Sequence, residues 1–247
     1  MRATYPSLRG RGVMITGGAT GIGAAMVEAF AEQGARVGFI DIDETSAAAL
    51  CGRIEDTWFR PVDVTEVAVL KAAIGDFAES RGLDVLINNV ANDARQEPLE
   101  VTEEDWRGCM AVNLDSAFFA AQAAIAIMRK AGGGGIINIS SINALIGPTE
   151  MPGYVSAKAG LLGLTKALAR QYGPVTIRVN AILPGWVVTE RQLALWLTPE
   201  AEEEWMRQVA LKERIMPRDV ANLALFLASD DSAMITNQHF VIDGGRI

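Results

Sequence analysis

The chain alternates short apolar runs rich in β-branched residues with longer segments in which apolar residues recur at helical spacing. Such alternation indicates βαβ units, which build a parallel sheet covered by helices on both faces. We therefore predict an α/β fold, a doubly wound parallel sheet in a single domain over residues 1–247. The predicted strands are Val13–Thr16, Arg36–Ile40, Val85–Asn88, Ile136–Ser140, Ile177–Ile182 and Phe240–Ile242.

A helix start, a glycine-rich turn and a buried helix complete the expected organisation. Thr102, followed by three acidic residues, is typical of a helix start, because a threonine can cap the helix and carboxylates complement its dipole. The run Gly132–Gly135 predicts a flexible turn that leads into the Ile136 strand. The apolar stretch Ala117–Met128 is too short and too polar at its flanks to span a bilayer, so we interpret it as a buried helix.

Composition narrows the classes of function. Half of the residues are hydrophobic, which favours a large core. The net charge of −8 opposes binding to nucleic acid and to anionic membranes, so we expect neither as a partner. The N-terminal residues 1–12 show no apolar signal region, which favours a cytoplasmic protein.

Cysteine and histidine are too scarce for several kinds of chemistry. Cys51 and Cys109 lie in unrelated segments without a CxxC spacing, so we interpret both as core or surface thiols and expect no metal site. His239 is the single histidine, which argues against histidine-based acid/base catalysis. It could pack within its strand, the interpretation that we favour, or reach the site of a neighbouring subunit.

A glycine-rich turn follows the first predicted strand, as Thr16-Gly17-Gly18-Ala19-Thr20-Gly21-Ile22-Gly23, and a helical pattern comes next. Glycines there allow a pyrophosphate to approach the backbone at a helix N-terminus, where free N–H groups attract anions. This favours a Rossmann-type dinucleotide site. Alternatively, the glycines serve only close packing.

The second strand ends at Asp41, about twenty residues beyond the glycine turn, where a carboxylate can accept hydrogen bonds from an adenosine ribose. The same charge would repel a 2′-phosphate, and no basic residue stands at Gly18, Ala19 or Ile42 to attract one. The sequence therefore favours NAD over NADP. The alternative is that Asp41 merely begins an acidic turn.

Tyr154 and Lys158 stand four residues apart and would share one face of a helix. A cation roughly 5 Å from a phenol, at an effective dielectric of about 20, contributes about 3 kcal/mol and lowers the phenol pKa by about two units. Tyr154 could thus act as a base. Alone, such a pair is usually a surface pair, but this one follows a predicted strand that ends near Ser140 and Ser141, whose hydroxyls could orient a substrate oxygen.

These motifs together resemble the short-chain dehydrogenase/reductase family over nearly the whole chain. Thr16–Gly23 is similar to its TGxxxGxG turn, Tyr154 and Lys158 to its YxxxK pair, and Asp243-Gly244-Gly245 to its C-terminal segment. The resemblance implies four catalytic residues, Asn113, Ser141, Tyr154 and Lys158. The residues implied to bind the cofactor are Gly17, Thr20, Gly21, Ile22, Gly23, Asp41, Asp63, Val64, Asn89, Tyr154, Lys158, Pro184, Gly185, Val187 and Thr189.

The resemblance also implies a mechanism and an assembly. Tyr154 would take the hydroxyl proton while hydride leaves carbon for the nicotinamide, Ser141 would hold the oxygen, and Asn113 would anchor a proton relay. Val187 would supply backbone hydrogen bonds to the carboxamide. A homotetramer would be expected. One segment departs from the family pattern: its NNAG reads Asn88-Asn89-Val90-Ala91 here, which loses the glycine.

Three further segments stand out, namely Tyr5-Pro6-Ser7-Leu8, the loop Asn92-Asp93-Ala94-Arg95, and Arg191-Gln192 with Trp196 and Thr198-Pro199-Glu200. They resemble bacterial aldose 1-dehydrogenases acting on xylose, arabinose or galactose, which implies oxidation of the anomeric hydroxyl of a sugar to a lactone. Residues of about 186–215 would form a substrate lid, in which Trp186 could stack on a sugar and Trp196 and Trp205 would pack. Alternatives are a dehydrogenase or reductase of another alcohol or ketone, and a non-catalytic nucleotide-sensing module. The candidate substrate contacts are Asn92, Arg95, Ser141, Asn143, Glu150, Tyr154, Trp186, Arg191 and Gln192.

Overall fold

The structure is a computed structural model that describes residues 3–247. Seven parallel strands form one sheet in the order β3-β2-β1-β4-β5-β6-β7. The strands are β1 Gly12–Thr16, β2 Arg36–Asp41, β3 Trp58–Pro61, β4 Val85–Asn88, β5 Gly134–Ile139, β6 Ile177–Pro184 and β7 His239–Ile242. The α-helices are α1 Gly21–Glu32, α2 Glu44–Cys51, α3 Val67–Arg81, α4 Glu103–Met110, α5 Ser116–Ala131, α6 Asn143–Ile146, α7 Pro152–Tyr172, α8 Glu190–Leu195, α9 Pro199–Gln208 and α10 Pro217–Ala228.

Two hydrophobic clusters cover the two faces of the sheet. Along β1, Val13 and Ile15 belong to one cluster and Met14 belongs to the other, because successive side chains of a strand point to opposite faces. Helices α1 and α10 pack together on one side, while α3 and α5 pack together on the other. All five residues of β1 are buried, as expected for a central strand of a sheet covered on both faces.

The predicted fold class is therefore confirmed, and each of the six predicted strands is present. The prediction missed β3, a four-residue strand at the sheet edge in which two aromatic residues, Trp58 and Phe59, begin the run. Thr102 caps α4 as predicted: its side chain accepts from Asp105 N–H, while the Asp105 carboxylate accepts from Thr102 N–H.

The prediction that Gly132–Gly135 is a flexible turn was wrong for its second half. Gly134 and Gly135 are the first residues of β5 and pair with Ile177 and Arg178. A Cβ on Gly134 would lie 2.5 Å from Met128 Sδ, so the glycine permits α5 to lie close to the sheet. Only Gly132 and Gly133, both with positive φ, form the turn.

Helices α4 and α5 are joined without a break by a π-helical turn, Ala111–Asp115. By length and composition alone the joined helix Glu103–Ala131 could cross a membrane, although buried core helices of soluble proteins pass the same test. In this fold α5 packs against α3 and β5, and its apolar residues contribute to the core.

Candidate active site

The candidate site lies beyond the carboxyl ends of β1, β4, β5 and β6. The chain continues from β1 to β2 on one side and from β4 to β5 on the other, so the strand order reverses between β1 and β4. Such a switch point leaves a crevice at the carboxyl edge of the sheet, where open α/β folds bind ligands. Candidate residues that follow each of these four strands, namely Gly17, Asn89, Ser141 and Gly185, lie at this edge.

The glycine turn forms the first wall of the crevice. Gly17 and Gly21 have φ angles of +68° and +54°, in the left-handed region that favours glycine. A Cβ on Gly23 would lie 1.8 Å from the Gly17 carbonyl oxygen, so a side chain there would force the turn open. The turn therefore needs glycine at each of these positions.

The N-terminus of α1 provides the features that a pyrophosphate needs. Thr20 is the N-cap residue but makes no side-chain capping hydrogen bond, and the first turn of α1 holds no acidic side chain. The N-terminal N–H groups and the positive end of the helix dipole are thus not satisfied by a local carboxylate or hydroxyl. Gly21 and Ile22 begin this helix, so the residues predicted to bind a dinucleotide phosphate fit the group.

Asp41, at the end of β2, is tied to the glycine turn. Its Oδ2 accepts from Ala19 N–H at 2.9 Å and its Oδ1 accepts from Asp43 N–H at 3.1 Å. A carboxylate has about four acceptor positions, so two remain for ribose hydroxyls. Arg60 of β3, which is in register with Ile40 of β2, forms an ion pair with Asp76. The Asp41 end of the crevice thus presents an acceptor and no unpaired arginine from β3.

Asp63, Val64 and Asn89, which the family resemblance implies as cofactor contacts, also have defined surroundings in the structure. Asp63 is exposed and its Oδ1 accepts from the Thr65 N–H and hydroxyl, while Val64 is buried. The Asn89 side-chain amide donates to the carbonyl oxygens of Gly17 at 2.8 Å and Thr16 at 3.2 Å. Asn89 therefore supports the glycine turn from β4.

The loss of glycine from the NNAG segment causes no backbone strain. Ala91 is not among the residues with positive φ, so its Cβ is accommodated. Val90 packs closely on the glycine turn, with Cγ2 3.0 Å from the position of a Cβ on Gly17.

Ser141, Tyr154 and Lys158 come together at the ends of β5 and α7. Ser141 lies close enough to Tyr154 for its side chain to lower the pKa of the phenol. Lys158 Nζ lies 5.6 Å from the centroid of the Tyr154 ring, which shows that the two side chains share one face of α7. Lys158 is 1% exposed, and its ammonium donates to the Ile139 carbonyl oxygen at 2.9 Å.

The electrostatics of the pair differ from the sequence-based prediction. Burial raises the pKa of Tyr154 above its usual range, whereas the hydrogen bond from Ser141 lowers it and the charge of Asp93 raises it. Burial lowers the pKa of Lys158 to about 8. The prediction that Lys158 lowers the phenol pKa of Tyr154 by about two units is wrong for the cofactor-free protein, because it counted the attraction and omitted desolvation.

Asn113 is the fourth predicted catalytic residue, and it lies in the π-helical turn between α4 and α5. Its Oδ1 accepts from Asn92 N–H at 3.0 Å, and its Nδ2 donates to the Asn92 carbonyl at 3.1 Å and the Cys109 carbonyl at 3.0 Å. π-Helical turns are frequent at functional sites. The turn places a buried amide against the loop that follows β4.

Cys109 is a site neighbour that the sequence interpretation missed. Its Sγ lies 3.5 Å from Asn113 Nδ2, and a Cβ on Gly153 would lie 2.9 Å from the same sulfur. Burial raises the pKa of the thiol. Cys109 therefore fills the space between α4 and the start of α7, next to Tyr154. No local motif marks this contact.

The segment 186–215 begins at the crevice. Gly185 N–H donates to the carbonyl oxygen of Ile242 in β7. Val187 and Ile215 form an isolated parallel β-bridge, in which Val188 N–H donates to Ile215 O, so the N–H and carbonyl of Val187 itself are not used. Pro184 ends β6. Thr189 caps α8, and its Cγ2 lies 3.2 Å from the position of a Cβ on Gly21. Both ends of the segment are thus fastened to the sheet edge.

Several predicted substrate contacts bind one another. Arg191 and Gln192 both donate to the carboxylate of Asp93, which was not among the candidate substrate contacts. Trp186 Nε1–H donates to Gln192 Oε1 at 2.7 Å. The Arg95 guanidinium lies 4.2 Å from the centroid of the Trp196 ring. These side chains form a connected wall at the substrate end.

The remaining candidates lie at the rim. Asn143 N–H donates to Ser141 Oγ at 3.1 Å, and exposed Glu150 contributes its carbonyl oxygen, which accepts from Gln96 N–H at 2.7 Å. His239 is exposed on the edge strand β7, so the interpretation that it packs within the strand is wrong for this chain. Within residues 3–247, no three His, Cys, Asp or Glu side chains are grouped to hold a metal ion.

The chain is similar to known proteins over nearly its whole length. Residues 17–246 match a family model described as enoyl-(acyl carrier protein) reductase. The chain is 48% identical to a probable galactose dehydrogenase, GalD, of Rhizobium meliloti (strain 1021), covering 98% of this chain and 96% of the relative. It is 43% identical to a D-xylose 1-dehydrogenase of Caulobacter vibrioides (strain NA1000 / CB15N), covering 98% of both chains.

A solved structure shows the same fold. A short-chain type dehydrogenase/reductase from Mycobacterium ulcerans superposes with a TM-score of 0.93 at 24% identity, covering 99% of this chain and 91% of that chain.

Proposed function

The chain belongs to the short-chain dehydrogenase/reductase family and is an oxidoreductase acting on CH–OH groups, and we propose that it oxidises the anomeric hydroxyl of an aldose to the aldonolactone with NAD. The observation that carries the proposal is the Ser141 side chain beside Tyr154, with buried Lys158 on the same helix face as the tyrosine. This group stands beside an α1 N-terminus whose Thr20 makes no side-chain cap.

In this proposal Tyr154 is the base that removes the proton of the sugar hydroxyl, and Ser141 holds the same oxygen. Bound NAD supplies a hydride acceptor and a positive ring. Because burial raises the Tyr154 pKa in the cofactor-free protein, a positive charge near the phenol is required to bring it into range. Lys158 supplies part of that charge. Asn113 holds the loop at Asn92, from which a proton can pass to solvent.

The choice of NAD over NADP rests on Asp41. Its carboxylate accepts two backbone N–H groups and retains acceptor capacity for ribose hydroxyls, while a 2′-phosphate would meet its negative charge. The nearby Arg60 is engaged with Asp76. Asp63, Val64, Asn89, Pro184, Gly185, Val187 and Thr189 are proposed as further cofactor contacts.

The choice of a sugar rests on the two named relatives and on the polar wall at the substrate end. Galactose and xylose dehydrogenases are similar to this chain over nearly their whole length. Sugars need several hydrogen bonds, and the crevice is bordered by Asn92, Asn143 and the Asp93 carboxylate. We propose that residues 186–215 form a lid over this end, in a cytoplasmic homotetramer.

A substrate panel tests the reaction. D-galactose, D-xylose, L-arabinose, a polyol and a hydroxysteroid are incubated with NAD, and NADH is followed by its absorbance. We expect turnover with at least one aldose and formation of its lactone. Turnover confined to the polyol or the steroid would refute the sugar assignment.

Tyr154→Phe tests the base. The variant keeps the ring and loses the hydroxyl, so we expect kcat to fall by about 10³-fold or more while NADH binding, followed by fluorescence, is retained within about threefold. Retention of full activity would refute the role of Tyr154.

Asp41→Ala tests the cofactor assignment. We expect the ratio of kcat/KM with NAD to that with NADP to fall by about tenfold or more, because the repulsive carboxylate is removed. A thermal melt accompanies the assay, since Asp41 also holds the Ala19 N–H. An unchanged ratio in a folded variant would contradict the ribose contact.

A second candidate function is reduction of an acyl ketone. It is favoured by the similarity of the chain to a 3-oxoacyl-[acyl-carrier-protein] reductase of Chlamydia trachomatis, to which it is 39% identical over 94% of its length. Oxidation of NADH or NADPH in the presence of a 3-oxoacyl thioester, with no aldose-dependent signal, would establish it in place of the sugar reaction.

A further inference from the structure

We propose that Asp93 is a positioning residue that fixes α8 and Trp186 over the substrate end of the site, so that its loss weakens sugar binding more than the chemical step. The cluster consists of Asp93, Arg191, Gln192 and Trp186, and is called the Asp93 cluster below. The proposal rests on the proposed function for the identity of the substrate, but its geometry does not depend on it.

Both oxygens of the Asp93 carboxylate are engaged by the same helix. Oδ1 accepts from Arg191 Nε at 3.2 Å and from its terminal nitrogen at 3.0 Å. Oδ2 accepts from Gln192 Nε2 at 2.7 Å. Asp93 lies on the loop after β4 and is 22% exposed, so one partly buried carboxylate joins that loop to the start of α8. Such charge-assisted, forked contacts fix orientation as well as distance.

The contact extends from the carboxylate to an aromatic ring. The Gln192 amide donates to Asp93 through Nε2 and accepts from the Trp186 indole N–H through Oε1, so both ends of the amide are fixed. The Trp186 ring packs edge-to-face on Trp205, with centroids 5.9 Å apart. A sugar that meets Trp186 or Gln192 therefore meets side chains whose positions are set by Asp93.

Asp93 also acts on the titration of the reactive pair. Its negative charge raises the pKa of Tyr154 and of Lys158. The other groups that face Tyr154 are the Ser141 hydroxyl beyond β5, the Cys109 thiol of α4 and Lys158 of its own helix. Removing the carboxylate charge lowers the pKa of Tyr154, because a neighbouring anion disfavours the phenolate. A side chain that acted only on folding would leave this pKa unchanged.

Asp93→Asn separates the charge and geometry of Asp93 from general stability. The neutral amide is similar in size but cannot accept from both Arg191 and Gln192 as a carboxylate does. A matched control is Glu202→Gln, which removes an ion pair with Arg214 within the same segment but outside the Asp93 cluster. Asp93→Glu keeps the charge and changes its reach.

Three measurements are expected to change together in Asp93→Asn. Hydrogen exchange of the α8 amides in the cofactor-free protein accelerates about tenfold or more, because the helix loses its contact with the β4 loop. KM for D-galactose and D-xylose rises about tenfold, while kcat changes less than about threefold. The acidic limb of the kcat profile moves to lower pH by about half a unit.

The controls give opposite expectations. Glu202→Gln leaves α8 exchange, KM and the pH profile unchanged, and Asp93→Glu keeps the pH profile of the wild type. Unchanged α8 exchange in Asp93→Asn, or the same three changes in Glu202→Gln, would overturn the proposal. If the wild-type protein oxidises no aldose, the proposed function fails, and the exchange experiment still decides whether Asp93 holds α8.

Discussion

Replacing Lys158 by methionine is expected to stabilise the cofactor-free protein at neutral pH while abolishing its activity. Lys158 is 1% exposed, and burial lowers its pKa from 10.5 to about 8. A change of that size corresponds to about 3 kcal/mol of destabilisation of the charged form on folding. Methionine fills a similar volume without charge. Loss of the hydrogen bond to Ile139 O costs about 1–2 kcal/mol, which leaves a net gain of about 1–2 kcal/mol.

The contribution of Lys158 to the free energy of unfolding depends on pH. The folded-state pKa lies below the unfolded-state value, so between about pH 8 and pH 10.5 the unfolded chain binds the proton and the folded chain does not. The contribution of Lys158 to stability therefore rises with pH by about 1.4 kcal/mol per unit in this window and is constant below it. Lys158→Met lacks this dependence, so its advantage at pH 7 is expected to vanish near pH 10.

The assay is urea unfolding of both proteins at pH 7 and pH 10, followed by tryptophan fluorescence. Differences between the two proteins isolate Lys158, because other titrating groups are shared. Lys166→Met, which removes an exposed lysine from the same helix, is expected to change stability by less than about 0.5 kcal/mol at both pH values. A Lys158→Met protein that is less stable than wild type by the same amount at both pH values would refute the reasoning.

Four further outcomes follow from packing, backbone entropy and capping. Gly23→Ala is expected to lower the melting temperature by about 10 °C or more and to abolish NADH binding, because its Cβ would lie 1.8 Å from the Gly17 carbonyl oxygen. Gly75→Ala, in α3 with open space around it, is expected to stabilise the protein by about 0.5–1 kcal/mol. Gly153→Ala is expected to reduce kcat about tenfold by displacing the start of α7, and Cys109→Ala in the same chain to restore it, which kinetics of the double variant measure. Thr102→Ala is expected to cost about 1 kcal/mol in urea unfolding without changing kcat/KM.

The sequence predicted the parts of the site that depend on local geometry. The glycine turn from Gly17 to Gly23 needs positive φ and close approach within a few residues, so its pattern is visible in the sequence itself. The spacing of Tyr154 and Lys158 predicts a shared helix face, which the structure shows. The order of strands and helices likewise predicts the crevice at the sheet edge.

The parts that the sequence did not predict depend on contacts between distant segments. Cys109 reaches the site because α4 packs against the start of α7, and no spacing rule connects it with Gly153. The short strand β3 was missed because four residues are too few to show a period of two. The pKa of Tyr154 was predicted in the wrong direction, since the attraction of Lys158 can be estimated from spacing whereas desolvation requires the surrounding fold.

The substrate end shows the same limit most clearly. Arg191, Gln192 and Trp186 have side chains suited to a sugar, and each was predicted to contact one. The structure instead directs them towards one another and towards Asp93, because a partly buried carboxylate must be paired where long polar side chains can reach it. A residue type therefore predicts what a side chain can bind but not which partner reaches it first. For this enzyme the discrimination between sugars should depend on the fixed Asp93 cluster as a unit, so that substitutions within it change KM non-additively.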